Sequence, residues 1–149
     1  MNSRLSAVKH VQQDKDVMGH TIRLAALGAV AFMVLDGVWL GLLMKNFYRD
    51  QLAPIVRLAN SGIAPNWPAA VVVYALLGTG IAVFVIPRAA TVPHAATYGA
   101  LFGLVVYGVY DFTNYSTLRQ WPFVLTLADV AWGAVASAAC AAVVRSAAR

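Results

Sequence analysis

The chain has 149 residues, of which 60% are hydrophobic and only 11% charged, and its 11 Lys+Arg against 6 Asp+Glu give a formal net charge of +5. A soluble domain carries about a quarter charged residues, so the composition excludes an ordinary water-soluble domain. The basic residues are spread over termini and loops rather than clustered on one element, which argues against nucleic acid and for anionic lipid headgroups as partners.

Residues 1–20 are polar and show no strong helical periodicity. Met18 directly precedes "GHTIRLAALG". Two readings stay open: an over-extended start, or a mobile cytoplasmic tail. Residues 21–149 form the second unit, a single four-span membrane domain.

Leu24–Met44 is the first apolar segment, 21 residues with Asp36 as its one charge. It is too long for a cleaved signal peptide, and "MKNFYRD" follows in place of a small-residue cleavage site. A helix rises 1.5 Å per residue, so about 20 residues cross a hydrocarbon core of about 30 Å.

The loop Lys45–Pro68 is the longest in the chain. Phe47, Leu52, Ile55, Val56 and Leu58 are expected to line one side of a short helix in the membrane interface, with Pro54 opening a second helical turn. Tyr48 and Trp67 suit an aromatic belt at headgroup depth.

Ala69–Ile86 is the second span, 18 uncharged residues between Pro68 and Pro87. It carries no acid and reads as scaffold, with Tyr74 as its polar handle. Ala95–Asn114, 20 residues, holds Asp111 near its end, and Phe123–Val144, 22 residues, holds Asp129 near its start. Backbone groups in lipid must bond within their own segment, so all four are helices. The expected fold is all-α, a four-helix transmembrane bundle with a short interfacial helix in the first extracytoplasmic loop.

Lys and Arg set the orientation. Arg4, Lys9, Lys15, Arg23, Arg88, Arg145 and Arg149 fall on one side; Lys45, Arg49, Arg57 and Arg119 fall on the other. Seven against four places both termini in the cytoplasm. Small residues recur at intervals of four in Gly37/Gly41, Gly99/Gly103 and Gly133/Ser137, which marks helix–helix contacts and leaves a homodimer open.

In that orientation the three intramembrane acids lie at similar depth. Asp36 is roughly 12 Å, Asp111 roughly 5 Å and Asp129 roughly 9 Å from the outer ends of their helices. A charge in a span costs a few kcal/mol, so each is expected to face protein or water. The three faces are expected to build one polar pocket. Asp36 and Trp39 in "LDGVW" share a helix face, as do Asp129 and Trp132 in "ADVAW". This D-x-x-W pattern on oppositely directed helices suggests an antiparallel pseudo-repeat. Tyr107, Tyr110, Asp111 and Asn114 form a polar stripe on the third span. Arg119 is a candidate counter-ion for an acid.

Such a pocket suits acid/base chemistry on a lipid-like molecule, with Asp36, Asp111 and Asp129 as the candidate catalytic carboxylates. Trp39, Tyr107, Tyr110, Asn114, Arg119 and Trp132 are the candidate binding residues. Proton-coupled transport and a purely structural hydrogen-bond network are the alternatives. His10, His20 and His94 lie away from the acids, and the lone Cys140 reads as a packing residue, so no metal and no cofactor are expected. Nucleotide-binding and hydrolase motifs are absent from the sequence.

"LDGVWLG", "YGVYDFTNYSTLRQWP" and "LADVAWG", with "NFY" and "NWP" between them, resemble a bacterial family of small multi-pass membrane proteins, the domain of unknown function 2177 family. The likeness covers about residues 22–145. It implies a four-span core, a polar signature on Asp36, Trp39, Asp111, Asn114, Asp129 and Trp132, and an association with genes that modify lipid acyl chains; the expected location is the bacterial inner membrane.

Overall fold

The computed structural model describes residues 2–59 and 62–148; the side chains of residues 1–8, 11, 58–62 and 149 lie outside the described set, and with them Arg4, Leu58 and Arg149 as side chains. The elements in chain order are α1 (Asn2–Val38), α2 (Lys45–Leu52), β1 (Leu58–Ala59), β2 (Gly62–Ile63), α3 (Trp67–Gly80), α4 (Val92–Thr117) and α5 (Phe123–Ala147). A π-helical turn, Trp39–Leu43, follows α1. A second π turn, Ile81–Val85, and a 3-10 turn, Ile86–Arg88, prolong α3.

Four helical stretches are long and apolar enough to cross a membrane: Gln12–Leu43, Trp67–Arg88, Val92–Thr117 and Phe123–Ala147. The chain is therefore an all-α multi-pass membrane bundle. Local chemistry starts the inner helices. The Asn66 side chain accepts from the Ala69 amide at 3.2 Å and caps α3. Thr91 caps α4 by accepting from the His94 amide at 3.3 Å, with Pro93 in the first turn. Both are the cap types whose side-chain oxygen satisfies an otherwise free amide.

Two local expectations are revised. The polar N-terminal segment is helical from Asn2. It continues the ladder of the apolar span, and the Gln12 amide donates to Asp16 one turn on, at 3.1 Å. In the first loop the helix ends at Leu52. Pro54 stands in the turn that follows, since its ring clashes with the preceding turn and it offers no amide to an α-helical ladder. Ile55 and Val56 both donate to the Leu52 carbonyl. Beyond them, β1 and β2 form a two-residue antiparallel pair with Leu58 opposite Ile63.

The four long helices alternate in direction. Leu24, Gly28, Phe32 and Asp36 make the buried face of α1, each four residues from the next. Gly28 meets Gly78 of α3 so closely that a Cβ would stand 3.0 Å from the Gly78 Cα. The Cys140 thiol of α5 lies 3.5 Å from the Gly28 carbonyl. Gly99 and Gly103 of α4 press on the backbone of Ser137 and Gly133 in α5. Without a hydrophobic drive between helices in lipid, such close backbone approach is what gains dispersion energy. The Gly37/Gly41 pair does not belong to this set: a Cβ at either position would meet nothing within 4 Å. These two glycines point away from the face that α1 buries.

The apolar core gathers Leu24, Phe32, Leu77, Ile81, Ala136 and Cys140 toward one half of the bundle. Val34, Val71, Leu76, Leu101, Val109 and Val135 face outward, which suits a surface covered by acyl chains. The other half, where α1 and α4 end and α5 begins, is polar.

Candidate functional site

Asp36, Asp111 and Asp129 come together in that polar half. Asp36 is 8% exposed and Asp111 fully buried. Three helices contribute one acid each because antiparallel packing sets the end of α1 and of α4 beside the start of α5.

Trp132 of α5 donates its Nε1–H to Asp36 Oδ1 at 2.8 Å. The hydroxyl of Tyr74, on α3, also faces the Asp36 carboxylate. Trp39 donates its Nε1–H to the Tyr48 hydroxyl at 3.0 Å, and that hydroxyl donates to Asp129 Oδ1. The two indoles lie face to face, with centroids 4.3 Å apart and planes 2° from parallel. The D-x-x-W pairs thus work crosswise. Each tryptophan serves the acid of the other helix, Trp132 directly and Trp39 through Tyr48.

Tyr48 reaches this position through the π turn. The Met44 amide donates to the Trp39 carbonyl at 2.8 Å, closing a five-residue turn, and α2 begins at once. Single π turns inside helices are frequent at functional sites. Here α2 follows the turn directly and its Tyr48 side chain reaches Asp129 of α5, so Tyr48 is 4% exposed while Lys45, Asn46, Arg49 and Asp50 around it are exposed. Burial, and then the Asp129 carboxylate it bonds to, push the Tyr48 hydroxyl above its ordinary pKa. The expected place of Tyr48 in an interfacial aromatic belt is thereby corrected. Its contact partner stands 81 residues away, beyond any local pattern.

Asp111 differs from the other two acids. Its carboxyl faces that of Asp129. Neither of its oxygens has another hydrogen-bond partner among the described residues, and Asn114 Nδ2, three residues on, is also buried without an acceptor. Tyr107 packs its ring on Gly133 and faces Asp36 and Asp129. Tyr110, at 58% exposure, stands at the rim. Its ring meets Trp121 edge-on at 5.8 Å, and the Trp121 Nε1–H donates to Thr126 Oγ1 at 3.2 Å.

Arg119 is exposed in the connection between α4 and α5. Among the described residues the only ion pair is Arg49–Asp50, itself exposed at 3.1 Å. The acids therefore have hydroxyl, indole and carboxyl partners, but no basic side chain. No set of three or more His, Cys, Asp and Glu among the described residues converges as a metal site.

A family model described as a predicted membrane protein matches residues 21–145. No curated protein and no solved structure matches the chain. The matched segment runs from the apolar part of α1 almost to the end of α5, and it contains every residue of the polar cluster. The chain belongs to the domain of unknown function 2177 family of predicted membrane proteins.

Proposed function

We propose that the three-acid cluster binds, and through its carboxyl groups acts on, a lipid-like molecule that reaches it from the membrane. In this reading the chain sits in a bacterial inner membrane with both termini cytoplasmic, and the cluster opens in the outer half of the bilayer. The observation that carries the reading is Asp111. A fully buried carboxyl group whose oxygens lack an ordinary donor among the described residues is costly for a bundle. A purely structural network would supply donors to all three acids, as Trp132 and Tyr48 do for two of them. Sites that bind or react carry such unsatisfied groups at the expense of stability.

Mass spectrometry of lipids that remain with gently extracted protein tests this. The wild type is expected to enrich one lipid class over the bulk membrane, and Asp111→Asn and Asp129→Asn to lose that enrichment. A bulk lipid profile in all three proteins would remove the proposal.

The Asp111–Asp129 pair also suits a second reading, proton-coupled movement of a solute. Solute uptake driven by a pH gradient in proteoliposomes is its signature, and uptake indifferent to the gradient counts against it.

A further inference from the structure

The unmet hydrogen-bonding groups of the cluster describe their ligand. Among the described residues, Asp111 offers two carboxyl oxygens with no ordinary donor, and Asn114, whose side chain faces Tyr110 one turn back, offers an Nδ2 with no acceptor in hydrogen-bond geometry. Three residues apart on α4, they share one helix face. A group that satisfies both must donate one hydrogen bond and accept another. A phosphodiester only accepts, and any phosphate would add negative charge to three acids that have no basic neighbour among the described residues. An ammonium group only donates, so Asn114 would stay unmet. A carbonyl only accepts, so Asp111 would stay unmet. A hydroxyl does both.

The protein already holds one hydroxyl in this manner. Tyr48 accepts from the Trp39 indole and donates to the Asp129 carboxylate, so its oxygen bridges an N–H and an acid inside the same cluster. Asp111 and Asn114, three residues apart on α4, repeat that combination of an acid with an N–H donor.

We infer that Asp111 and Asn114 form a binding site for the free hydroxyl of an uncharged lipid alcohol, which donates to the Asp111 carboxyl and accepts from Asn114 Nδ2. This rests on the lipid-binding reading above and narrows it to one chemical class. Tyr110, adjacent in sequence to Asp111, is largely exposed. Its ring meets Trp121 edge-on at 5.8 Å, so these two aromatic side chains mark the membrane-facing side next to the site.

The test uses full-length protein in phosphatidylcholine nanodiscs and displacement of a fluorescent diacylglycerol. The competitors are diacylglycerol, its methyl ether and phosphatidic acid, all with the same acyl chains. The ether can still accept from Asn114, but it has no O–H for Asp111. Diacylglycerol is expected to compete at least about tenfold more strongly than the ether, the effect of one hydrogen bond to a carboxylate. Phosphatidic acid is expected to be weakest. In Asp111→Leu the preference for alcohol over ether should shrink to less than about twofold.

Equal competition by alcohol and ether in the wild type, as for a site filled by water alone, overturns the inference while lipid binding stands. So does a preference for phosphatidic acid. A tracer that binds no better than to empty nanodiscs overturns this inference together with the lipid-binding reading. The wild-type comparison of alcohol with ether needs no variant to fold.

Discussion

Trp39 and Trp132 stack with their ring centroids 4.3 Å apart and 2° from parallel, and each indole N–H is directed to the side of the pair that holds the other helix's acid. Trp132 reaches Asp36 itself, and Trp39 reaches Asp129 through the Tyr48 hydroxyl. The stack therefore ties α1 to α5 twice, by ring contact and by hydrogen bonds. It also gives the buried Asp36 and the half-buried Asp129 their donors.

Trp132→Phe keeps a ring for the stack and removes the donor to Asp36. Interhelical hydrogen bonds in membrane proteins contribute about 0.6 kcal/mol on average and up to about 1.7 kcal/mol. A loss of stability in that range is expected, measured by unfolding in mixed micelles. A double-mutant cycle with Asp36→Leu should show that the two substitutions do not add. Additive effects would show that this bond contributes nothing measurable.

The glycines separate into two classes. A Cβ at Gly103 would run into the Gly133 carbonyl and the Ser137 hydroxyl, whereas Gly37 and Gly41 have open space. Gly103→Ala should force α4 and α5 apart and destabilise by about 1–3 kcal/mol. Gly37→Ala should be neutral or stabilise by up to about 1 kcal/mol through helix propensity. The same unfolding assay reads both. Equal effects at the two positions would contradict the packing of α4 on α5.

Tyr48 links α2 to the bundle, and its hydroxyl is bonded in the protonated form. Its folded-state pKa is raised above the ordinary value near 10 by burial first and by Asp129 second. A group with a raised folded pKa contributes stability that is fully present below the unfolded value and lost as pH climbs through the folded one. The stability difference between wild type and Tyr48→Phe should therefore be constant below about pH 10 and shrink above it. Ultraviolet titration should show one fewer late-ionising tyrosine in the variant, and an unchanged titration curve would argue against the buried bond.

Asp111→Asn removes a buried acid that no ordinary donor serves and that lies beside a second carboxyl group. It is expected to leave stability within about 1 kcal/mol of wild type or to raise it, as substitutions at sites kept for function commonly do. Abolished accumulation in membranes would instead mean that Asp111 holds the bundle together.

Much of this molecule is legible along the chain. The four spans follow from runs of 18 to 22 apolar residues, because a helix must satisfy its own backbone in lipid. Asp36, Asp111 and Asp129 can be matched by counting residues to the helix ends, since rise per residue is constant. The pairing of Gly99 and Gly103 with Gly133 and Ser137 is likewise an interval of four, realised on two facing helices.

Azimuth and partner choice are what depth counting leaves out. Gly37 and Gly41 show the same spacing as the packed pairs and yet face away from the bundle. A spacing states which residues share a face, and only packing selects the face that is buried. Arg119, near Asp111 in sequence, stays exposed, and the donor to Asp129 comes instead from Tyr48, 81 residues away. That choice goes with a π turn at Trp39–Leu43, after which α2 begins at once and carries Tyr48 within reach of Asp129. The sequence by itself determined the spans and the level of the acids, through hydropathy and helix rise. The tertiary structure decided which indole and which hydroxyl serve Asp36 and Asp129, and left Asp111 and Asn114 without an ordinary partner among the described residues, because those contacts join helices whose relative rotation no local pattern encodes.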